Sequence, residues 1–224
     1  IRQFSMKTKF YQASSSEMYG NVGTNIQDEN TNFQPISPYA ISKLHAHWML
    51  KLYRNAYDLY CCSGILFNHE SPLRGNEFVT RKIVRALTKV KFNKLKCVNL
   101  GNIYVKRDWG YSQDYVEAMW KMLQQKKADD YVVSSGITHT VKTFINEVAK
   151  NLEIDLRWQG KGLKEVAIDK KSKKIFIRIK RDFFRPTEIK YTYGNSNKAK
   201  KILNWKAKTN FKTLVKIMCD AEIE

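Results

Sequence analysis

Residues 10–20 read "FYQASSSEMYG", an aromatic-rich apolar run that breaks into three serines, a glutamate and a glycine. The first half has the composition of a strand covered on both faces, and the second half that of the loop it feeds. Further on, "SPYAISK" (37–43) opens a helix, with Ser37 as its N-cap and Pro38 suited to the first helical position. Ala40, Ile41, Leu44, Trp48 and Leu52 recur at helical spacing and are expected to form its buried face, the helix ending near Tyr57 and Asp58. A second continuous apolar stretch follows, "LYCCSGILF" (59–67). Strand, loop, helix and strand in succession are the signature of an α/β sheet.

The same reading extends outward. "NHESPLRGNEF" (68–78) leads into a helix at about 78–91, a short strand near Cys97 to Leu100, and a turn at "KRDWGY" (106–111). A helix with Val116, Met119, Trp120 and Leu123 on one side comes next, then the strand "YVVSSG" and a helix from about Thr140 to Leu152. The tail holds a basic strand pair, the segment "FFRPTEI" (183–189) and two closing helices. There is no internal repeat and no low-complexity linker. A glycine-rich first turn of the kind that cradles a dinucleotide pyrophosphate is also missing from these 224 residues.

Composition bounds the function. With 43% apolar residues the chain can bury a core, and it contains no run of about 20 apolar residues to span a membrane. The opening residues lack a signal-peptide pattern, and a start at Ile1 reads as internal to a longer chain. Cys61, Cys62, Cys97 and Cys219 show no metal-ligand spacing, which suits reduced thiols in the cytoplasm. His45 and His47 lie two apart on a helix and diverge, so no metal pair is expected. The formal charge of +19 raises the possibility of a basic nucleic-acid-binding module. Against it, the cations are scattered as codon bias would scatter them, and the one cluster, "KKSKKIFIRIKR" (170–181), has the alternation of a strand with a solvated face. Neither nucleic acid nor membrane is expected as a partner. Trp48, Trp109, Trp120 and Trp158 are expected in the core or in site walls.

Tyr39 and Lys43 sit four apart on the first helix, hence on one face. An ammonium close to a phenol stabilises the phenolate, which can then exchange a proton with a substrate hydroxyl. The strand end "ASSSE" upstream supplies a serine hydroxyl, and the C-terminal ends of strands are where α/β sheets bind ligands. Ser15, Tyr39 and Lys43 resemble the Ser/Thr-Tyr-Lys triad of the extended short-chain dehydrogenase/reductases. Within that superfamily, "FYQASSSEMYG", "SPYAISKLHAHW", "GILFNHESPLRGNEFVTRKI", "LGNIYVKRDWGYSQDYVEAMWKMLQQ" and "FFRPTEI" resemble, in order and approximate spacing, segments of the GDP-mannose 4,6-dehydratase family. Two departures are visible: Leu73 stands where the family usually has arginine, and "IKRDFFRP" replaces a pattern closer to "VDPRYFRP".

The resemblance implies an α/β fold comprising the second half of a Rossmann-type doubly wound parallel sheet, interleaved with a smaller C-terminal substrate domain. Residues 1–67 would complete the cofactor-binding domain, and 68–224 would be mainly substrate domain, with about 108–136 returning to the sheet. It implies NADP as cofactor and GDP-mannose as substrate, converted to GDP-4-keto-6-deoxymannose. Ser15 would bond the sugar O4, Tyr39 and Lys43 would serve proton transfer and the nicotinamide ribose, and Glu17 would be the base at C5. His69 and Arg74 would contact the cofactor. Asn68, Val79, Lys82, Arg107, Arg185 and Glu188 would contact the substrate nucleotide. Dimers pairing into tetramers are implied, as is inactivity of the 224 residues alone. Another NAD(P)-dependent nucleotide-sugar epimerase or reductase is the alternative on the same scaffold.

Overall fold

The protein is described by a computed structural model for residues 3, 7–23 and 25–223; Ile1, read above as internal to a longer chain, lies outside the described residues. From the N-terminus run β1 (Phe10–Ser15), a 3₁₀ turn (Ser16–Tyr19), α1 (Pro38–Tyr57), β2 (Cys61–Leu66), β3 (Asn68–Glu70), α2 (Val79–Lys91) and β4 (Val98–Leu100). Then come β5 (Lys106–Tyr111), α3 (Ser112–Leu123), β6 (Asp130–Val133), β7 (Thr138–Thr140) and α4 (Val141–Asn151). The last elements are β8 (Leu156–Gln159), β9 (Val166–Asp169), β10 (Ile175–Ile179), α5 (Asn197–Leu203) and α6 (Phe211–Ile223). Among the described residues no helix is long and apolar enough to cross a membrane. The chain forms two compact units, each discontinuous in sequence: one from 1–69, 107–138 and 187–209, the other from 70–106, 139–186 and 210–224.

In the first unit the sheet order is β1-β2-β6, all parallel. Phe10 pairs with Cys61 through to Ser15 with Leu66, and Ser63 with Asp130 through to Leu66 with Val133, so the three strands finish together. Alternate residues face opposite layers. Cys62, Leu66, Tyr131 and Val133 meet Tyr115 and Met122 of α3, Leu203 of α5, and Trp205. Ile65, Phe67 and Val132 face the other way, onto Met18, Tyr19 and Leu44. Burial on both faces is why these strands read as unbroken apolar runs. Each fully buried aliphatic or phenylalanine side chain here contributes roughly 1.5–3 kcal/mol.

Helix α1 starts as expected, Ser37 Oγ accepting from Ala40 N at 3.1 Å with Pro38 in the first turn. Its apolar positions, however, divide between two faces. Ala40 and Leu50 are buried, with His47, and Leu44 packs under the sheet, whereas Ile41, Trp48 and Leu52 are each more than half exposed. The inner face is joined to the sheet by polar groups as well: Lys43 Nζ donates to Ala13 O (2.9 Å), and Arg54 donates to Cys61 O (3.0 Å) and Asp130 Oδ2 (2.9 Å). Long cationic side chains lay their stems along the interface and bond at the tip, so they cover the area a Leu would. Helix α3 divides likewise, with Met119 and Leu123 of its expected face packed on the core. It buries Asp114, Tyr115, Ala118 and Met122 and exposes Val116 and Trp120, with Asp114 Oδ2 capped by Lys208 N (3.0 Å) and Thr209 N (2.8 Å). Trp48 and Trp120 are therefore outside the core, Trp158 is half-buried, and Trp109 is inside.

"KRDWGY" is a strand, β5, and not the expected turn. Asp108 at its centre is fully buried and accepts from Ser135 N (2.8 Å), Ser135 Oγ (2.6 Å), Gly136 N (3.0 Å) and Gly194 N (3.3 Å), while its own N–H donates to Thr192 Oγ1 (3.1 Å). One carboxylate thus ties β5 to the turn after β6 and to the 192–194 segment. The outer edge of β6 is closed by Glu29, whose Oε1 accepts from Val132 N at 2.7 Å; Gln27, close by in sequence, bridges to Gly194. Among the described residues β1 pairs only with β2, so its other edge carries no ladder.

In the second unit the sheet order is β4-β10-β9-β8, with β4 parallel to β10 and the rest antiparallel. The basic cluster lies on β10 as expected, Arg178 exposed between buried Ile177 and Ile179. Helices α2, α4 and α6 pack together, α2 burying Ile83, Val84, Leu87 and Val90. Glu222 of α6 clamps two successive turns of α2 by accepting from Arg81 Nη2 (2.9 Å) and Arg85 Nε (3.2 Å).

Replacing Asp108 with Ala strands its donors in a dry interior and is expected to cost on the order of 3 kcal/mol or more in urea unfolding. Burial pushes the Asp108 carboxyl up to about 6, against the pull of its donors. The native state then holds a proton between pH 4 and 6 that the unfolded chain has released, so this group's stabilisation is lost as pH rises through about 6. The stability gap between wild type and Asp108→Asn should therefore narrow as pH is raised across that window. A widening gap would contradict the burial-driven shift.

Candidate functional site

Ser15 closes β1 in extended conformation, and its Oγ accepts from Glu17 N at 3.2 Å, capping the 3₁₀ turn. The hydroxyl proton is left to point elsewhere. Glu17 is half-buried between Ser16 and Met18, both buried, and among the described residues its carboxylate accepts no hydrogen bond and makes no ion pair. The turn beneath it is rigidly held: Tyr19 OH donates to Asp28 O (2.6 Å) and Gln34 N to Met18 O (2.9 Å). Gly20 then takes φ +64°, where a Cβ would collide with the Gln34 carbonyl oxygen. The local fold thus presents one carboxylate at the end of a buried parallel strand.

Tyr39 and Lys43 come from the first two turns of α1. Tyr39 is half exposed, and Lys43 Nζ lies 5.8 Å from its ring centroid while donating to Ala13 O. Ala13 is two residues before Ser15, so the lysine fixes the helix start to the strand that carries the serine and the glutamate. Asn68 and His69 follow β2 at the same end of the sheet, His69 Nδ1 bonding Phe67 O at 2.9 Å with its ring 5.1 Å from Tyr115. Glu188 is brought to the loop after the turn by Asn21, which donates to Glu188 O (3.0 Å) and accepts from Lys190 N (2.9 Å). Arg107 is half-buried on β5, next to the Asp108 knot. All of these belong to the first unit.

Arg74, Val79, Lys82 and Arg185 belong to the second unit. Arg74 stacks on Phe78, its guanidinium carbon 3.5 Å from the ring centroid, and its Nε lies 3.3 Å from Glu70 Oε2. Glu70 is 2% exposed and also accepts from Thr80 Oγ1 at 2.6 Å; burial lifts its carboxyl to about 6 although both partners pull it down. Val79 opens α2 and Lys82 lies one turn further, its Nζ 4.1 Å from the Phe183 ring centroid, with burial holding the amine below its usual range. Arg185 is exposed. Sequence reading missed Glu70, Phe78 and Phe183. Glu70 was within reach, since it sits four residues before Arg74 in "NHESPLR"; the two aromatic platforms carried no signal of their own.

The GDP-mannose 4,6 dehydratase family model matches residues 1–218. The GDP-mannose 4,6 dehydratase of Dictyostelium discoideum is 49% identical over 218 residues, covering 97% of this chain and 61% of that protein. GDP-mannose 4,6 dehydratase 1 of Arabidopsis thaliana is 50% identical over 217 residues, covering 96% of this chain and 55% of that protein. The chain therefore spans little more than half the length of these curated relatives. Among solved structures, the dTDP-glucose 4,6-dehydratase of Bacillus anthracis in complex with NAD superposes with a TM-score of 0.78 at 21% identity, over 95% of this chain and 61% of that one. That likeness supports the Rossmann-type α/β fold, and the family match along nearly the whole sequence shows that this chain belongs to the GDP-mannose 4,6-dehydratase family.

Proposed function

We propose that the protein carrying this chain is an NADP-dependent GDP-mannose 4,6-dehydratase, a hydro-lyase that forms GDP-4-keto-6-deoxymannose. The observation that carries the reading is the helix bearing Tyr39 and Lys43, bonded to β1 just ahead of Ser15 and a Glu17 carboxylate that is unpaired among the described residues. The donor set suits the nicotinamide ribose: Lys43 spends one N–H on Ala13 O and keeps two for ribose hydroxyls. His69 and, in the second unit, Arg74 are further cofactor ligands. When bound, NADP supplies the redox chemistry, accepting hydride from C4 and returning it at C6.

The chain's own groups handle the protons. Ser15 donates to the sugar O4, and Tyr39, beside the Lys43 ammonium, takes the O4 proton as C4 is oxidised. The 4-keto group acidifies C5–H, which Glu17 removes; the same carboxyl then protonates the C6 hydroxyl as it leaves as water. Reduction at C6 leaves a C4–C5 enolate that takes up a proton at C5, matching the one Tyr39 took from O4, so oxidation at C4 and reduction at C6 balance. In the first unit Asn68, Arg107 and Glu188 are ligands of the substrate nucleotide, the arginine suited to phosphate by its planar fork. In the second, Val79, Lys82 and Arg185 have that role. By this assignment the first unit carries cofactor and catalysis and the second mainly recognises substrate.

The partner is a second copy of the chain. Ile41, Trp48 and Leu52 form an exposed stripe along α1, at a spacing that keeps them on one side of the helix. Pairing of two copies along it, and of dimers into tetramers, would cover that stripe. Four free thiols, three of them buried, suit a reducing cytoplasm.

In the full-length protein with NADP and GDP-mannose, Glu17→Gln is expected to lower the rate of 4-keto-6-deoxy product formation by about 10²–10⁴-fold, and Tyr39→Phe comparably. Binding of GDP-mannose, read by calorimetry, should be retained in both. Full activity in Glu17→Gln would remove the role given to that carboxylate. A charge in the α1 stripe, Trp48→Glu with Leu52→Glu, should reduce the mass measured by light scattering to that of a smaller assembly. An unchanged mass would place the interface elsewhere.

A further inference from the structure

We propose that His47 is a positioning residue of this site: its buried imidazole fixes the seat of α1 on the sheet and so keeps Tyr39 and Lys43 aligned with Ser15 and Glu17. The inference rests on the dehydratase reading above. His47 is 2% exposed and lies one turn beyond Lys43 on the same helix face. Nδ1 is 3.0 Å from Ser14 Oγ on β1 and 3.2 Å from Ser63 Oγ on β2. Ser63 gives its own proton to Asp130 Oδ1 of β6 (2.7 Å), so toward the ring it is an acceptor only. Nε2 is 4.0 Å from Asp130 Oδ2, which Arg54 of the same helix also holds, and Phe33 packs edge-on against the ring at 5.3 Å. A single side chain of α1 thereby bonds two strands directly and reaches the third, β6, through Ser63.

Such a device is needed because α1 turns Ala40, Leu44 and Leu50 of its apolar residues to the sheet, and apolar contact is non-directional. Direction comes from a row of bonds from Lys43, His47 and Arg54. Lys43 is occupied with the cofactor, and Arg54 bonds at the far end, where β2 begins. His47 is the bond closest to the reacting groups that takes no part in the reaction, and Ser14, its partner, immediately precedes Ser15. A shift of about 1 Å between reacting groups can cost on the order of a hundredfold in rate. Loss of this bond should therefore appear in kcat and leave ground-state binding alone.

The test uses the full-length protein with NADP and GDP-mannose. His47→Leu, close in volume but unable to bond Ser14 or Ser63, is expected to lower kcat by about ten- to a hundredfold with KM changed by no more than about twofold. His47→Asn places an amide near the position of Nδ1 and should recover most of the loss. Ser14→Ala should lower kcat in the same direction, and the double variant should be no worse than His47→Leu alone. Wild-type kcat in His47→Leu, failure of Asn to recover activity, or full additivity with Ser14→Ala would each overturn the proposal. If His47→Leu does not fold, Ser14→Ala carries the decision: a lowered kcat at unchanged KM supports the proposal and an unchanged kcat overturns it. A wild type that forms no 4-keto sugar from GDP-mannose would overturn the dehydratase reading and this inference with it; an active wild type with an indifferent His47 overturns the inference alone.

Discussion

Parallel strands cannot be joined by a tight turn, and the organisation of the first unit follows from that constraint. Between β1 and β2 the chain must travel back along the sheet, and α1 is the element that does so. Because β1, β2 and β6 run the same way in matched register, everything that leaves a strand leaves at one end: Ser15 and Glu17 after β1, Asn68 and His69 after β2. The return helix begins at that same end, which is how Tyr39 arrives there. Residues from Ser15 to His69 in the sequence become neighbours of one sheet terminus without any segment being specially shaped for it.

Three buried carboxylates show how charge is accommodated in this architecture. Asp130 has a guanidinium, Arg54, as well as the Ser63 hydroxyl, and these hold it below the usual carboxylate range in spite of burial. Asp108 has only neutral donors, and burial wins, lifting it to about 6. Glu70 has Arg74 and Thr80 yet is also lifted to about 6, because it is almost completely enclosed. A cation offsets desolvation when it meets a partly solvated carboxylate in direct hydrogen-bonding geometry; it falls short for a fully enclosed one reached from the side. Asp130 and Asp108 join segments far apart in sequence, whereas Glu70 ties β3 to residues only four and ten positions on.

Much of this was legible in the sequence where apolar patterning and local chemistry agree. The β1 and β2 runs, the Ser37–Pro38 helix start, and the amphipathic α2 are of this kind. The candidate triad was legible as well, because its spacing is imposed by the strand-loop-helix path. Two classes of feature were not. In α1 and α3 the inner face carries Lys43, His47, Arg54 and Asp114 beside its apolar residues, while Ile41, Trp48, Val116 and Trp120, apolar as they are, lie outside. β5 was read as a turn since "KRDWGY" places two charges, an aspartate and a glycine in succession; only the donors that surround Asp108 make a strand of it. Both failures have one cause. A polar side chain looks solvent-facing until its bonding partners, remote in sequence, are known.

The two edges of the parallel sheet differ in a way that limits what can be added to it. On the β6 side the Glu29 carboxylate already occupies the Val132 amide, and a strand arriving there would have to displace an inward-pointing charge. On the β1 side the edge carries no ladder among the described residues, and its Ala13 carbonyl is bonded by Lys43 and Gln12. The β6 edge is thus blocked at an amide and the β1 edge at a carbonyl. A strand that joins along β1, from the same chain or another, leaves Ser15 at the end of an interior strand, walled on both sides.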